Sequence, residues 1–254
     1  MPACPVPVSG PDGSGGASAP LAPSPTTYPV QTTGIVVAID PGHGGGETGA
    51  VARNGLAEKD VNLKIALKLA RLLSDGGYRP VLTRERDREV NLAGADLNGD
   101  GRVNNDDDLQ ARVDIANAAH ASILVSIHNN GSPHPADRGT RTYYCGHRPF
   151  AADNLRLASA LQAHLVASIR AAGYDTPDMG ISDDRILNKP FGHLFLLGPL
   201  TPRMARASNM PGALGETLYL TNPVEASLLA RDDILTAIAQ GYYQGIVAYL
   251  HTSR

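Results

Sequence analysis

Short apolar runs rich in β-branched residues alternate with longer amphipathic stretches along most of this chain. Residues 34–40 (GIVVAID) stop at Pro-Gly, and residues 122–127 (SILVSI) stop at His-Asn-Asn-Gly. Leucine and alanine recur at helical spacing between these runs and again after residue 150. Residues 194–197 and 213–220 are further strand candidates. Such runs are typical of strands buried on both faces, and intervening helices favour parallel pairing. The sequence therefore predicts an α/β fold with a mostly parallel or mixed central sheet and helices on both faces.

Residues 1–33 differ in composition from the rest of the chain. Pro, Gly, Ser, Ala and Thr dominate them, and Asp12 is their single charged residue. Such a segment has too little apolar surface to offset the entropy of ordering it. We predict a disordered linker, either a tether or an end without a role, before a single domain at 34–254. Met1 is not followed by the basic residue and the apolar core that are typical of export signals.

Composition excludes several classes of protein. A net charge of −3 and an isoelectric point near 6.2 argue against a nucleic-acid partner. No apolar run approaches the roughly 18 residues of a transmembrane segment. Two cysteines, Cys4 and Cys145, are too few for a disulfide framework or a Cys-rich zinc site. A metal is therefore expected on histidine and carboxylate ligands, in a protein that we expect to be monomeric.

Two histidines stand where predicted strands end. His43 lies in the glycine-rich loop DPGHGGG at 40–46, and His128 directly follows the run at 122–127. In open α/β sheets ligands collect beyond the carboxyl ends of the strands. A glycine-rich loop can also hold phosphate, but this one has no lysine and lacks the dinucleotide and P-loop spacings. Either histidine can also be an ordinary surface residue, so both are candidates for metal binding.

Several ordered motifs carry a family resemblance. They are IDPGHGG at 39–45, EKDVNL at 58–63, SIHNN at 126–130, GTRTYY at 139–144 and GETLYLTN at 215–222, with Arg112 and Ala116-Asn117 between them. Together they resemble the zinc-dependent N-acetylmuramoyl-L-alanine amidases, the type 3 catalytic domain of bacterial cell-wall amidases. The resemblance spans residues 34–250.

The resemblance implies a site. It assigns zinc to His43, Glu58 and His128, and proton transfer to Glu216. Two imidazoles and a carboxylate form a known catalytic zinc set with a fourth position for water. Taken alone, Glu58 can equally be a favourable charge at a helix N-terminus. Glu216 lies in an apolar run, where a carboxylate is costly unless it is paired or linked to a metal.

The implied reaction is hydrolysis of the amide bond between N-acetylmuramic acid and L-alanine in peptidoglycan, at an extracellular or cell-envelope location. One alternative is a zinc carboxypeptidase of related fold, which would aim an arginine at the substrate carboxylate. The candidates for that arginine are Arg84, Arg141, Arg185 and Arg203. The other alternative is a wall-binding module without catalysis, against which the intact set of four site residues argues.

Three positions depart from the family pattern next to the implied site. Gly215 replaces a small apolar residue, Leu218-Tyr219 replaces a Gly-aromatic pair, and Gly198 falls where relatives carry arginine. These changes bear on substrate preference more than on the reaction.

Residues 93–108 read as an insertion with the pattern of an EF-hand or dockerin calcium loop. Oxygen ligands recur at positions one, three and five, with glycine at six and a carboxylate at twelve. A solvated turn rich in Asp and Asn, without an ion, is the alternative. The expected calcium ligands are Asp96, Asn98, Asp100, the Arg102 carbonyl, Asn104 and Asp107.

Overall fold

A computed structural model describes residues 33–252. The linker predicted for residues 1–33, apart from its last residue, and Cys4 lie outside the described residues. Within them no helix is long and apolar enough to cross a membrane.

The described residues form one mixed sheet with helices around it. The strands are β1 (Val36–Pro41), β2 (Arg79–Leu82), β3 (Ile123–Asn130), β4 (Thr140–Tyr144), β5 (Asp178–Asp183) and β6 (Gly212–Tyr219). The helices are α1 (Glu58–Asp75), α2 (Asn105–Ala118), α3 (Ala151–Ala171), α4 (Pro223–Leu229) and α5 (Asp232–Thr252), with short 3-10 turns at Asp184–Leu187 and Pro190–Gly192.

The strand order is β2-β1-β3-β6-β4-β5. Strands β2, β1, β3 and β6 run parallel to one another, and β4 pairs antiparallel with β6 but parallel with β5. The predicted α/β fold with a mostly parallel or mixed sheet is thus confirmed. Because β1, β2, β3 and β6 are parallel, their carboxyl ends meet at one edge of the sheet, where a ligand site is expected.

Alternate residues of β1 face two separate cores. Val37 and Ile39 pack in the larger core, which contains residues of α1, α3 and α5. Val36 and Ala38 pack on the opposite face with residues of α2 such as Val113. This alternation, repeated along β3, is why the strand sequences are continuously apolar.

Two sequence expectations about strands differ from the structure. The apolar residues 194–197 were expected to form a strand, but they form a turn in which the Gly198 N–H donates to the Leu194 carbonyl at 2.9 Å. Conversely, β5 was not predicted. It is an edge strand with aspartates at both ends and Gly180 at a φ of 70°, so it lacks the apolar alternation that reveals a strand.

The insertion at 93–108 packs against the loop that precedes β6. Arg203 pairs with Asp106, and the Asn98 side-chain amide donates to the Arg203 carbonyl at 2.9 Å. Arg206 pairs with Asp114 on α2 at 2.7 Å. The inserted segment is therefore joined by side-chain contacts to a second loop rather than standing free.

Candidate active site

His43 lies in the loop that leaves β1, and its backbone has a φ of 62°. Left-handed backbone is unfavourable for a residue with a side chain, so surrounding contacts must hold it there. Two buried arginines provide those contacts. Arg112 Nη2 donates to the His43 carbonyl oxygen at 2.8 Å, and Arg84 Nη2 donates to the Gly42 carbonyl oxygen at 2.9 Å. The position of the imidazole is thus fixed from both sides of the loop.

Glu58 is the first residue of α1, and its side chain is buried. Its Oε2 accepts a hydrogen bond from the Ala50 N–H at 2.9 Å, and its Oε1 accepts one from the Asn129 N–H at 3.2 Å. Oε1 also lies 3.2 Å from His43 Nε2 and 3.0 Å from His128 Nδ1. A helix-terminal charge alone would need none of these contacts, so Glu58 belongs to a site with both histidines.

The three side chains converge closely enough to share a metal ion. One ligand atom from each of His43, Glu58 and His128 lies within 4.8 Å of the other two. Two glycines provide the space that these side chains need. A Cβ at Gly42 would lie 2.2 Å from His128 Nε2, and a Cβ at Gly49 would lie 2.6 Å from His43 Cδ2. These residues therefore fit a cation, and a larger residue at either glycine would displace a ligand.

The electrostatics of Glu58 favour a cation as well. Burial alone would raise the pKa of Glu58, but hydrogen bonds with His128 and His43 outweigh burial and hold the pKa well below its usual range. The carboxylate is therefore ionised at neutral pH. An ionised carboxylate facing two imidazoles is a set of donors typical of zinc.

Glu216 lies on β6 directly beside His128 in the parallel β3–β6 register. Its Oε2 is buried and has no hydrogen-bond partner in the described part of the chain. Burial and the negative charge of Glu58 raise the pKa of Glu216 well above its usual value, opposed by the charge of Lys189. An unpartnered buried carboxylate destabilises a fold. Such perturbed groups concentrate at functional sites.

A cavity of about 530 Å³ opens over these residues. His43, Glu58, His128 and Glu216 all line it. One wall comes from the segment between β5 and β6, and the contributing residues are Leu187, Lys189, Leu194, Phe195 and Leu196. The cavity thus gives a substrate access to all four site residues.

Asp40 is a buried residue of the site that sequence reasoning missed. Its Oδ1 accepts from Thr83 Oγ1 at 2.7 Å and Arg112 Nη1 at 2.9 Å, and its Oδ2 accepts from Ser126 Oγ at 2.7 Å. Burial tends to raise the pKa of Asp40, but Arg112 and the two hydroxyl donors lower it below its usual value. An aspartate at the end of an apolar strand was the available signal.

A second missed network connects Glu58 to β6. The Thr217 hydroxyl donates to Asn129 Oδ1 at 3.0 Å, and Asn129 Nδ2 donates to Asn62 Oδ1 at 2.7 Å. Asn62 Nδ2 in turn donates to the Gly42 carbonyl at 3.2 Å. All three side chains are buried, so this chain of hydrogen bonds ties α1, β3 and β6 together behind the site.

In the loop expected to bind calcium, the carboxylates accept hydrogen bonds from backbone N–H groups. Asp96 accepts from the N–H groups of Gly99 and Gly101, each at 2.8 Å. Asp107 is fully buried, accepts from the Leu97 N–H at 2.7 Å, and forms a capping box with Asn104 at the start of α2. The carboxylates of the loop do not form a convergent group of three within residues 33–252. Asn98, Asp100 and Arg102 occupy the same turn.

Comparisons with known proteins identify the family of the chain. The family model for N-acetylmuramoyl-L-alanine amidase matches residues 37–248. The germination-specific N-acetylmuramoyl-L-alanine amidase of Bacillus subtilis is 31% identical over 217 residues, which cover 85% of this chain and 80% of the relative. The amidase LytC of the same organism is 32% identical over 85% of this chain, but the match covers only 36% of LytC.

Solved structures show the same likeness. The amidase AmiC2 of Nostoc punctiforme superposes with a TM-score of 0.66 at 29% identity, over 87% of this chain and 99% of that one. Fold and sequence together define an enzyme of the cell-wall amide hydrolase class. The chain belongs to the N-acetylmuramoyl-L-alanine amidase family, type 3, and is an amidase of peptidoglycan.

Proposed function

We propose that this amidase binds one zinc ion through His43, Glu58 and His128 and uses Glu216 as its proton-transfer group. The bond hydrolysed is the amide between the lactyl group of N-acetylmuramic acid and L-alanine. The observation that carries the proposal is the convergence of three ligand atoms within 4.8 Å, with Glu216 on the neighbouring strand beside His128.

The zinc ion, when bound, would polarise the carbonyl of the scissile amide and lower the pKa of a water molecule toward 7. Glu58 would supply the negative charge, and its two backbone donors, the N–H groups of Ala50 and Asn129, would hold its oxygens in place. The hydrogen bond from Arg112 to the His43 carbonyl would hold the loop, and with it the His43 imidazole, in place.

Glu216 is suited to move a proton in both directions. Its ionised form accepts a proton from the attacking water at a carboxylate oxygen. The raised pKa of Glu216 makes its carboxylate a stronger proton acceptor, and the proton then passes from the carboxyl group to the amine nitrogen of L-alanine as it leaves. A carboxylate with an ordinary pKa would release the proton to solvent more readily.

Substitution of Glu216 tests this role. Glu216→Gln keeps the shape of the side chain but cannot accept a proton, so we expect wall hydrolysis to fall by about 10²–10⁴-fold. Zinc content, measured by metal analysis of the same preparation, should stay the same. Normal clearing of cell walls by the variant would disprove the assignment, and a purified protein that is neither zinc-loaded nor activated by added zinc would disprove the metal.

The arginines do not favour a carboxypeptidase. Arg84 is buried and bonded to backbone carbonyls, and Arg203 is paired with Asp106. Arg141 bonds to Ser182, and Arg185 lies 3.6 Å from Asp183. Digestion of muropeptides and of C-terminal dipeptides distinguishes the two activities. Release of an intact stem peptide supports the amidase, and release of a terminal amino acid supports the carboxypeptidase.

The cellular location that we propose follows from the substrate. We propose that the protein acts outside the cytoplasm or in the cell envelope, where peptidoglycan is found, and that it acts as a monomer. Fractionation of cells and sedimentation of the purified chain test these two statements separately.

For the inserted loop we propose calcium binding through Asp96, Asn98, Asp100, the Arg102 carbonyl, Asn104 and Asp107. The glycines of the loop and the helix that begins at Asn105 match the form of such a loop. Binding would require Asp96 and Asp107 to exchange some backbone hydrogen bonds for the ion. Calorimetric titration of wild type and Asp100→Ala with calcium tests this. An absence of binding at millimolar calcium would leave the loop as a hydrogen-bonded turn.

A further inference from the structure

A second group of potential metal ligands lies outside the active site. Ligand atoms of Cys145, His147 and His193 fall within 4.8 Å of one another. Cys145 and His147 follow β4, whereas His193 comes from the segment after β5, 46 residues beyond His147 in the sequence. Three side chains that can all bind a soft metal thus converge from two separate segments of the chain.

One histidine of this group, His193, has a carboxylate partner. His193 Nδ1 lies 2.9 Å from Asp184 Oδ1, and the Asp184 side chain is fully buried. His147 Nδ1 lies 3.9 Å from Asp183 Oδ2, which is beyond hydrogen-bond distance. Histidine ligands of metals usually donate their other ring N–H to such a carboxylate, because it fixes the ring and strengthens the imidazole as a ligand, so His193 would offer Nε2 to a metal.

The thiol of Cys145 is placed as a ligand rather than as a nucleophile. Its Sγ and the Asp184 carboxylate approach the same atom, His193 Nδ1, at 3.4 and 2.9 Å. A catalytic relay needs the nucleophile and the carboxylate on opposite nitrogens of the ring. A bound metal would deprotonate the Cys145 thiol.

We propose that Cys145, His147 and His193 form a second transition-metal site, with zinc as the metal, that is separate from the catalytic centre. One thiolate and two imidazoles are ligands that zinc accepts. His147 is exposed, so an ion can reach the group from solvent without opening the core.

The role of this site is to fix one wall of the substrate cavity. The metal would join the end of β4 to the segment 183–193, which carries the cavity residues Leu187 and Lys189. Leu194, next to the ligand His193, also lines the cavity. Loss of the metal should therefore loosen this wall while leaving the ligands of the catalytic centre in place.

Cobalt substitution of the full-length protein tests the site, because only a thiolate ligand gives a sulfur-to-cobalt charge-transfer band. The catalytic ligands contain no sulfur. We expect the band in wild type and in Glu58→Gln, which impairs only the first site, and no band in Cys145→Ser. Cys4→Ser is the matched control, because Cys4 is the other cysteine of the chain, and this variant should keep the band.

A second variant leaves the buried Cys145 side chain unchanged. His147→Ala replaces an exposed ligand and keeps the thiol, and we expect it to weaken cobalt binding at this site by about tenfold or more. Zinc analysis should give about two ions per chain in wild type and about one in Cys145→Ser. A band that is absent in wild type, persists in Cys145→Ser or disappears in Cys4→Ser would overturn the proposal.

Discussion

Arg112 joins the loop that carries His43 to a buried aspartate: its Nη2 donates to the His43 carbonyl at 2.8 Å, and its Nη1 donates to Asp40 Oδ1 at 2.9 Å. Arg112→Met would remove both contacts and leave Asp40 buried with one charge uncompensated. We expect a loss of about 3–5 kcal/mol in the free energy of unfolding and zinc affinity lower by about 10–100-fold. Urea unfolding and zinc titration measure the two effects.

The matched control is Arg79→Met. Arg79 is exposed on β2, and its side chain donates to the Ala119 carbonyl far from the loop. We expect this variant to change the free energy of unfolding by less than about 1 kcal/mol. The double variant Asp40→Asn/Arg112→Met should be less destabilised than Arg112→Met alone, because the charge of Asp40 is then removed, while Asp108, the other carboxylate paired with Arg112, is unpaired in both variants. An equal loss in the two would show that the ion pair is not the cause.

Substitution of Gly42 tests whether the site needs the space that a glycine leaves beside His128. A Cβ at Gly42 would lie 2.2 Å from the His128 ring, whereas one at Gly46 in the same loop would have its nearest neighbour, Glu89 Oε1, at 3.5 Å. We expect Gly42→Ala to lose zinc binding and hydrolysis and Gly46→Ala to keep both. Metal analysis and a wall-clearing assay check this. Equal zinc content in the two variants would contradict the packing argument.

Most of the fold and part of the site could be predicted because their signals are local. Apolar runs predicted β1 and β3, and the ends of these runs identified His43 and His128 as candidate ligands. Glu58 was predicted as a ligand only through the family resemblance, since acidic residues are common at helix starts. Its hydrogen bond to His128 joins residues 70 apart in sequence, which no local pattern reveals.

The missed features depend on contacts between distant segments. The Asp40–Arg112 pair spans 72 residues, and a lone arginine on a helix gives no sign that it is buried. Residues 194–197 were wrongly taken as a strand because their apolar side chains pack against core residues from a turn, and three of the four also line the cavity. Burial of a turn and burial of a strand look alike in so short a run.

Glu216→Gln should stabilise the metal-free protein while abolishing activity. The raised pKa of Glu216 means that the folded state binds its proton more tightly than the unfolded state does. Stability is then lost as pH rises above the unfolded pKa, and this loss is absent below about pH 4, where the group is protonated in both states. We expect chelator-treated Glu216→Gln to unfold at higher urea than wild type at pH 7. The difference should vanish at low pH.

An equal difference between the two proteins at both pH values would mean that the gain does not come from the buried charge. Glu47→Gln is the matched control, because Glu47 is exposed at the rim of the same cavity. This variant should leave the unfolding midpoint close to that of wild type at both pH values.

Gly215 and Tyr242 are coupled by packing. A Cβ at Gly215 would lie 2.2 Å from the Tyr242 hydroxyl, and this rigid phenol is fully buried. We expect Gly215→Ala to destabilise by about 1–3 kcal/mol through overpacking, and by less in a Tyr242→Phe background that removes the hydroxyl. A double-mutant cycle from urea unfolding gives the coupling energy. Strict additivity would show that the two residues do not compete for the space.

Leu218 stands at a position where a side chain is strained, because it has a φ of 59° although it is fully buried. Left-handed backbone costs about 1–2 kcal/mol for a residue with a Cβ and nothing comparable for glycine. Truncation removes about 2–5 kcal/mol of burial, so both Leu218→Ala and Leu218→Gly should destabilise. The order is the test: we expect glycine to be tolerated better than alanine, by about 1 kcal/mol.

The opposite order is expected at Leu124, which is equally buried on β3 and is absent from the described residues with positive φ. There glycine should be worse than alanine by about 0.5–1 kcal/mol, because only the entropy of the unfolded chain distinguishes them. Urea unfolding of the four variants measures both differences. If Leu218→Gly were also the less stable member of its pair, backbone strain at Leu218 would be ruled out.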